Sequence, residues 1–137
     1  GPPPEINLFN EKNNGETILK LISKKYIKSA HDVSLGGIIT ALSKMCIKGI
    51  KGATLKKPNY LINQFEYLFS EDQGRYIIEI DKDNLQNVIK ILKENSVYFD
   101  ELGTVSKDNL IIDKKSKVSI DDLIKSHTTW LTNYMSK

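Results

Sequence analysis

The run Ser29-Ala30-His31-Asp32-Val33-Ser34-Leu35-Gly36-Gly37, followed by the apolar series Ile38, Ile39, Leu42, Met45 and Cys46, decides how this chain is to be read. Residues 27–33 read as a short strand. The apolar positions then switch to i, i+1, i+4, i+7 and i+8, which is one face of a helix. A strand therefore passes into a helix through a polar turn. Ser34 is placed to cap the helix, and Gly36 and Gly37 permit a close approach that a Cβ would block. Free amides at such a junction attract anions. His31 offers a hydrogen bond or a proton relay, and Asp32 a carboxylate to orient it or to meet a cation. The alternative is structural: a helix cap, an imidazole satisfied by a carbonyl, and glycines that allow tight helix–sheet packing.

A second stretch, Leu68-Phe69-Ser70-Glu71-Asp72-Gln73-Gly74-Arg75-Tyr76, sets two carboxylates beside an arginine. Arg75 is the only arginine, against nineteen lysines. In a chain that uses lysine for surface charge, that one arginine marks a place where a planar fork is wanted. It serves either a charge network at a ligand or interface, or a local ion pair that contributes little if exposed.

Working outward, Pro2, Pro3 and Pro4 predict an extended arm over residues 1–13. Ile18, Leu19, Ile22 and Tyr26 predict a helix from Gly15 to Tyr26. Gly49 to Gly52 ends the helix after the first turn, Ala53 to Leu55 reads as a strand, and Pro58-Asn59 as a turn. Tyr60 to Phe69 reads as a short helix and Arg75 to Ile80 as a strand. Asp83 is expected to cap a helix with core positions Leu85, Val88, Ile89 and Leu92. Two strands follow, Tyr98 to Val105 and Leu110 to Ile112, joined by a turn at residues 107–109. Ser119-Ile120-Asp121-Asp122 has capping-box spacing and opens a final helix bearing Leu123, Ile124, Trp130, Leu131 and Tyr134. This order predicts an α+β fold with helices packed on a mixed, mostly antiparallel sheet.

The length of 137 residues fits one domain: long enough for a core, short for a complete multi-substrate enzyme. A net charge of +3 with scattered lysines gives no basic stripe and argues against a nucleic-acid binder. No apolar run is long enough to span a membrane. The one cysteine, Cys46, excludes an internal disulfide, so a reducing, cytoplasmic setting is expected. It lies on an apolar helix face and reads as core, and His127 reads as a surface residue. There is no phosphate-loop, G-x-S-x-G or His/Cys metal spacing, so no residue is assigned a catalytic or metal-binding role.

Together, the Ser-Ala-His-Asp-Val-Ser-x-Gly-Gly and Leu-Phe-Ser-Glu-Asp-Gln-Gly-Arg-Tyr stretches resemble the two signatures of the C-terminal domain of phosphoribosylformylglycinamidine synthases, in the synthetase subunit. The start (Pro4-Glu5-Ile6-Asn7-Leu8), the segment Glu101-Leu102-Gly103-Thr104-Val105 and residues 119–130 resemble that domain too. The resemblance implies an aminoimidazole ribonucleotide synthetase C-terminal-domain fold, partly ferredoxin-like. It implies a role in ATP-dependent conversion of formylglycinamide ribonucleotide to the amidine, with ammonia derived from glutamine. ATP and Mg²⁺ would be held largely by preceding domains, so residues 14–137 would form one C-terminal domain, inactive alone. The implied partners are those upstream domains, a glutaminase subunit and a small accessory subunit, with no nucleic acid and no membrane. His31, Asp32, Ser34, Gly36, Gly37, Glu71, Asp72 and Arg75 become candidates for shaping a substrate cleft or a domain interface. Leu35 departs from the family's usual Asp, which weakens a cation-binding role for that turn. Other enzymes of the superfamily, such as aminoimidazole ribonucleotide synthetase or selenophosphate synthetase, and a non-catalytic interaction module are the competing readings.

Overall fold

A computed structural model of the chain describes residues 6–56, 63–113 and 116–136. The turn expected at Pro58-Asn59 and the first part of the helix expected from Tyr60 lie outside them. The chain forms two units, the first from residues 1–42 and 63–100, the second from 43–62 and 101–137.

The first unit opens with α1, Leu8–Ser23. The extended reading of residues 1–13 therefore fails for Leu8 to Asn13. The Asn7 side chain accepts from the Asn10 amide at 3.0 Å, and Glu11 stands in the first turn, where an acid complements the helix dipole. These signals outweigh the prolines upstream. Strand β1, Ser29–Val33, pairs antiparallel with β3, Arg75–Glu79, and α3, Gln64–Phe69, lies before β3. A 3-10 turn at Lys82–Asn84 leads into α4, Leu85–Glu94. Asp83 falls inside that turn and is not the cap.

Leu21 and Val88, both fully buried, and Ile91 and Leu92 form the core of this unit, with Ile18, Tyr26, Ile27, Ile78, Ile80 and Val97 packed around them. Ile91 takes the place expected for Leu85, which is exposed. The buried face of α4 thus centres on Val88, Ile91 and Leu92, and Ile89 is only half-buried.

The division between the units falls within α2, Gly37–Gly49, whose buried residues Ile38, Ala41, Leu42 and Cys46 keep the expected apolar face. The second unit holds a four-stranded sheet in the order β4-β2-β5-β6, formed by β2 (Gly52–Leu55), β4 (Gly103–Ser106), β5 (Asn109–Ile111) and β6 (Lys117–Ser119). β4 and β5 are joined by the expected short turn but do not pair with each other. β2 lies between them, antiparallel to β4 and parallel to β5. Residues 98–102 are not strand. β6 is an addition to the sequence reading, and it delivers the chain to α5, Ile120–Met135. The Ser119 hydroxyl accepts from the Asp122 amide at 3.0 Å and donates to its carboxylate, so the predicted cap is present.

The α+β class and the mostly antiparallel pairing hold, with the strands divided between two sheets. Helices α1, α2 and α4 close with a left-handed residue that is not glycine: Lys25, Ile50 and Ser96. In each, the amide of that residue and the amide after it donate back to carbonyls of the last helical turn. At α2 the sequence offers Gly49 beside this position, yet Ile50 occupies it, at φ 48°.

Candidate functional site

The antiparallel register of β1 and β3 brings the two signature stretches together. Val33 lies opposite Arg75, Asp32 opposite Tyr76 and His31 opposite Ile77. The turn that leaves β1 and the loop that enters β3 must therefore emerge at the same end of the sheet. They are bonded there. The Gly36 amide donates to Glu71 Oε1 at 2.7 Å. Gly37, at φ 69°, lies so close to α3 that a Cβ would stand 2.6 Å from the Leu68 carbonyl oxygen and 2.8 Å from Phe69 Cα.

Ser34 does not cap α2. Its carbonyl accepts from the Gly37 amide at 2.9 Å, closing a turn through Leu35 and Gly36 before the helix starts. The anion expected at this junction is the protein's own Glu71 carboxylate, so the Gly36 amide is already engaged by an internal anion.

Arg75 uses its fork on its own loop. Nη2 donates to the Ser70 carbonyl, Nε donates to the Asp72 carbonyl at 3.1 Å, and Nη2 lies 3.6 Å from Asp72 Oδ2. Two carbonyls held by one rigid guanidinium explain why lysine would not serve equally. Helix α1 braces the loop from the other side. Asn14 Nδ2 donates to the Gly74 carbonyl at 2.9 Å, and a Cβ on Gly74 would meet Glu11 Cγ at 2.9 Å.

His31 Nδ1 lies 2.6 Å from the Asp32 carbonyl oxygen and 3.4 Å from Asp32 Oδ1. A carbonyl only accepts, so Nδ1 carries the hydrogen of this contact. Asp32 thus orients the ring, mainly through its backbone.

A cleft of about 610 Å³ opens between these parts, lined by Glu11, Lys12, Asp32, Glu71, Arg75 and Tyr76 among others. Ser34 and Leu35 also line it, but His31, Gly36, Gly37 and Asp72 do not. His31 is on the opposite strand face from Asp32 because successive side chains alternate. Glu11, Lys12, Gln73 and Tyr76 are additions to the candidate set. Asn7 followed by Glu11 in the first helical turn was the signal that could have revealed the α1 contribution.

Lys12 pairs with Glu16 at 3.8 Å and Arg75 is turned into its loop, while Glu11, Asp32 and Glu71 give the walls a slight acidic excess. Glu11 Oε1 is buried without a hydrogen-bond partner among the described residues. Such walls suit a polar or cationic group better than a bare phosphate. Among the described residues no three His, Cys, Asp or Glu side chains converge as a metal site. Cys46 is buried and His127 exposed, as expected.

Fold and cleft together define an α+β domain built around two interlocked polar turns. Within that class, the chain belongs to the family described as AIR synthase related protein, C-terminal domain, whose pattern matches residues 2–114.

The chain is 86% identical over 135 residues to the phosphoribosylformylglycinamidine synthase subunit PurL of Pelagibacter ubique, covering 98% of this chain and 18% of that protein. It is 36% identical over 137 residues to the subunit of the same name from Bartonella quintana, covering 100% and 18%. It thus spans under one-fifth of the length of these curated relatives. Among solved structures, Thermotoga maritima PurL complexed with FGAR superposes with a TM-score of 0.73 at 21% identity, over 87% of this chain and 21% of that one. The structure of PurLQS from the same organism gives 0.74 at 20% identity, over 88% and 22%. At such identities the likeness carries the fold.

Proposed function

We propose that this chain is the C-terminal domain of a phosphoribosylformylglycinamidine synthase, synthetase subunit, whose body takes in α1 from Leu8 as well as the expected residues 14–137. The observation that carries this is the 86% identity to the Pelagibacter subunit along 98% of the chain. The whole enzyme would use ATP to convert formylglycinamide ribonucleotide to its amidine with ammonia released from glutamine, in the cytoplasm. The PurLQS assembly solved for the Thermotoga relative supports partnership with a glutaminase and a small accessory subunit. The Thermotoga PurL complexed with ATP supports nucleotide binding by the whole protein.

ATP and magnesium are assigned to the rest of the whole enzyme, and no residue of this chain is proposed as their ligand. The Gly36 amide, bonded to Glu71, is not free to take a phosphate. Its contribution is to shape rather than to react. Asp32, Ser34, Glu71 and Arg75 wall a cleft that seats a polar group of the substrate or of a neighbouring domain, and His31, Asp72, Gly36 and Gly37 hold that wall in place.

The test is amidine formation by the full-length subunit, supplied with formylglycinamide ribonucleotide, ATP, magnesium and ammonia, beside this chain alone. Turnover by the full subunit and none by the chain is expected. A full subunit that ignores this substrate but makes aminoimidazole ribonucleotide or phosphorylates selenide would overturn the assignment in favour of another enzyme of the superfamily. Turnover by the chain alone would overturn the division of labour.

A further inference from the structure

Helix α5 is amphipathic along its whole length. Ile120, Leu123, Ile124, His127, Trp130, Leu131 and Tyr134 recur at three- and four-residue intervals on one face. Asp122, Lys125, Ser126 and Thr129 take the other. The hydroxyls of Thr128 and Thr129 bond back to the Ile124 and Lys125 carbonyls, so these polar groups are satisfied within the helix.

The apolar face is only half covered. Ile120 is 3% exposed, and its amide donates to the Asp108 carbonyl at 3.0 Å. Leu123 and Ile124 are half-buried. From there the same stripe runs bare, with Trp130 60%, Leu131 53%, Tyr134 70% and Met135 74% exposed. A helix face that begins in the core and continues unchanged in chemistry is built for cover along its full length.

We propose that the uncovered half of this stripe is a docking surface for the part of the same synthetase polypeptide that lies outside these 137 residues. The proposal rests on the reading of the chain as one domain of a larger synthetase. Two observations select this occupant. The family pattern stops at residue 114, whereas the full-length relatives align through α5 and extend far beyond this chain, which spans 18% of each. The helix therefore accompanies the long subunit and not the shared domain alone. The second observation is area. The four exposed side chains offer on the order of 400–500 Å² of apolar surface. A second copy binding from solution needs about 800 Å² on each partner. A segment tethered on the same chain needs less, because its effective concentration is high. The complementary surface is therefore an apolar groove on a folded neighbouring domain.

Hydroxyl-radical footprinting of the full-length subunit, read by mass spectrometry at Trp130, Tyr134 and Met135, tests this. Oxidation at least tenfold slower than in the urea-unfolded subunit, at every protein concentration, is expected. Oxidation as fast as in the unfolded subunit would overturn the proposal. So would protection that appears only as concentration rises, which would identify a second copy, or only on adding the glutaminase subunit. Amidine formation by the same preparation separates the two readings. Protection without turnover keeps the dock and removes the enzyme assignment, and turnover without protection does the reverse.

Discussion

The most exacting consequence of the site geometry concerns three glycines that a sequence reader would treat alike. At Gly37, alanine meets two costs. The φ of 69° is left-handed, which adds about 1–2 kcal/mol for any residue with a Cβ. The new methyl would also lie 2.6 Å from the Leu68 carbonyl oxygen and 2.7 Å from the Phe69 carbonyl carbon, backbone that cannot rotate aside. Overpacking of this kind costs roughly 1–3 kcal/mol, for a total of about 2–5. At Gly36 the φ of 81° carries the same conformational cost, but the methyl meets one residue and no backbone atom: Thr40 Oγ1 can turn away, and Thr40 Cβ, at 2.9 Å, must give by a few tenths of an ångström. Gly36→Ala should therefore lose about 1–3 kcal/mol, less than Gly37→Ala. At Gly49 nothing lies within 4 Å of a Cβ, and alanine should gain roughly 0.5–1 kcal/mol as a better helix former. Urea unfolding followed by far-UV circular dichroism gives the ranking. Amide exchange across β1 and β3 assigns any loss to the first unit. Equal losses at Gly36 and Gly37, to within about 0.5 kcal/mol, would refute the close approach of α3.

The remaining predictions concern caps, clamps and charge. Glu71→Ala should destabilise the first unit by about 1–2 kcal/mol by removing the acceptor for the Gly36 amide, and Glu71→Gln by less, since an oxygen remains; identical midpoints for the two variants would show that the clamp is not formed. Asn7→Ala should cost about 1 kcal/mol and speed amide exchange over the first turn of α1, an effect absent if residues 8–13 were extended. Ile50→Gly should stabilise by about 1 kcal/mol, since a β-branched residue at φ 48° is strained; a lower midpoint would contradict this. Lys28 has its amine held above its ordinary value of 10.5 by its hydrogen bond to Asp81 and by that carboxylate's charge. A raised folded pKa favours the folded state fully below the ordinary value and loses that contribution as pH climbs through the raised one. Unfolding midpoints measured into the alkaline range should show this fall in the natural chain and less of it in Lys28→Met.

What the sequence revealed was what is periodic. The apolar spacing of α2, the β-branched run of β3 and the Ser119 cap were all visible in it, because each depends on neighbours a few residues away. The α1 start was masked by prolines whose influence ends before Asn7. The place of β2 between β4 and β5 depends on backbone approach, with Gly52 against Asn109 and Gly103 against Thr54, and no local pattern encodes it. The site divides in the same way. Residue types marked the two stretches, and pairing of β1 with β3 was needed to join them. Alternation along β1 already separates His31 from Asp32 by face, but that Asp32 is the one to meet the cleft followed only from the structure.

The order in which the two units use the chain has a consequence for any attempt to take the protein apart. Each unit is written in two instalments, residues 1–42 and 63–100 for one, 43–62 and 101–137 for the other. No contiguous excerpt holds either unit free of the other's chain, so a single protease nick does not release one folded unit by itself. On the ribosome, β2 emerges about fifty residues before the strands on either side of it. The second sheet must therefore wait until β4 and β5 have been made, and loop closure over that distance sets its entropic cost.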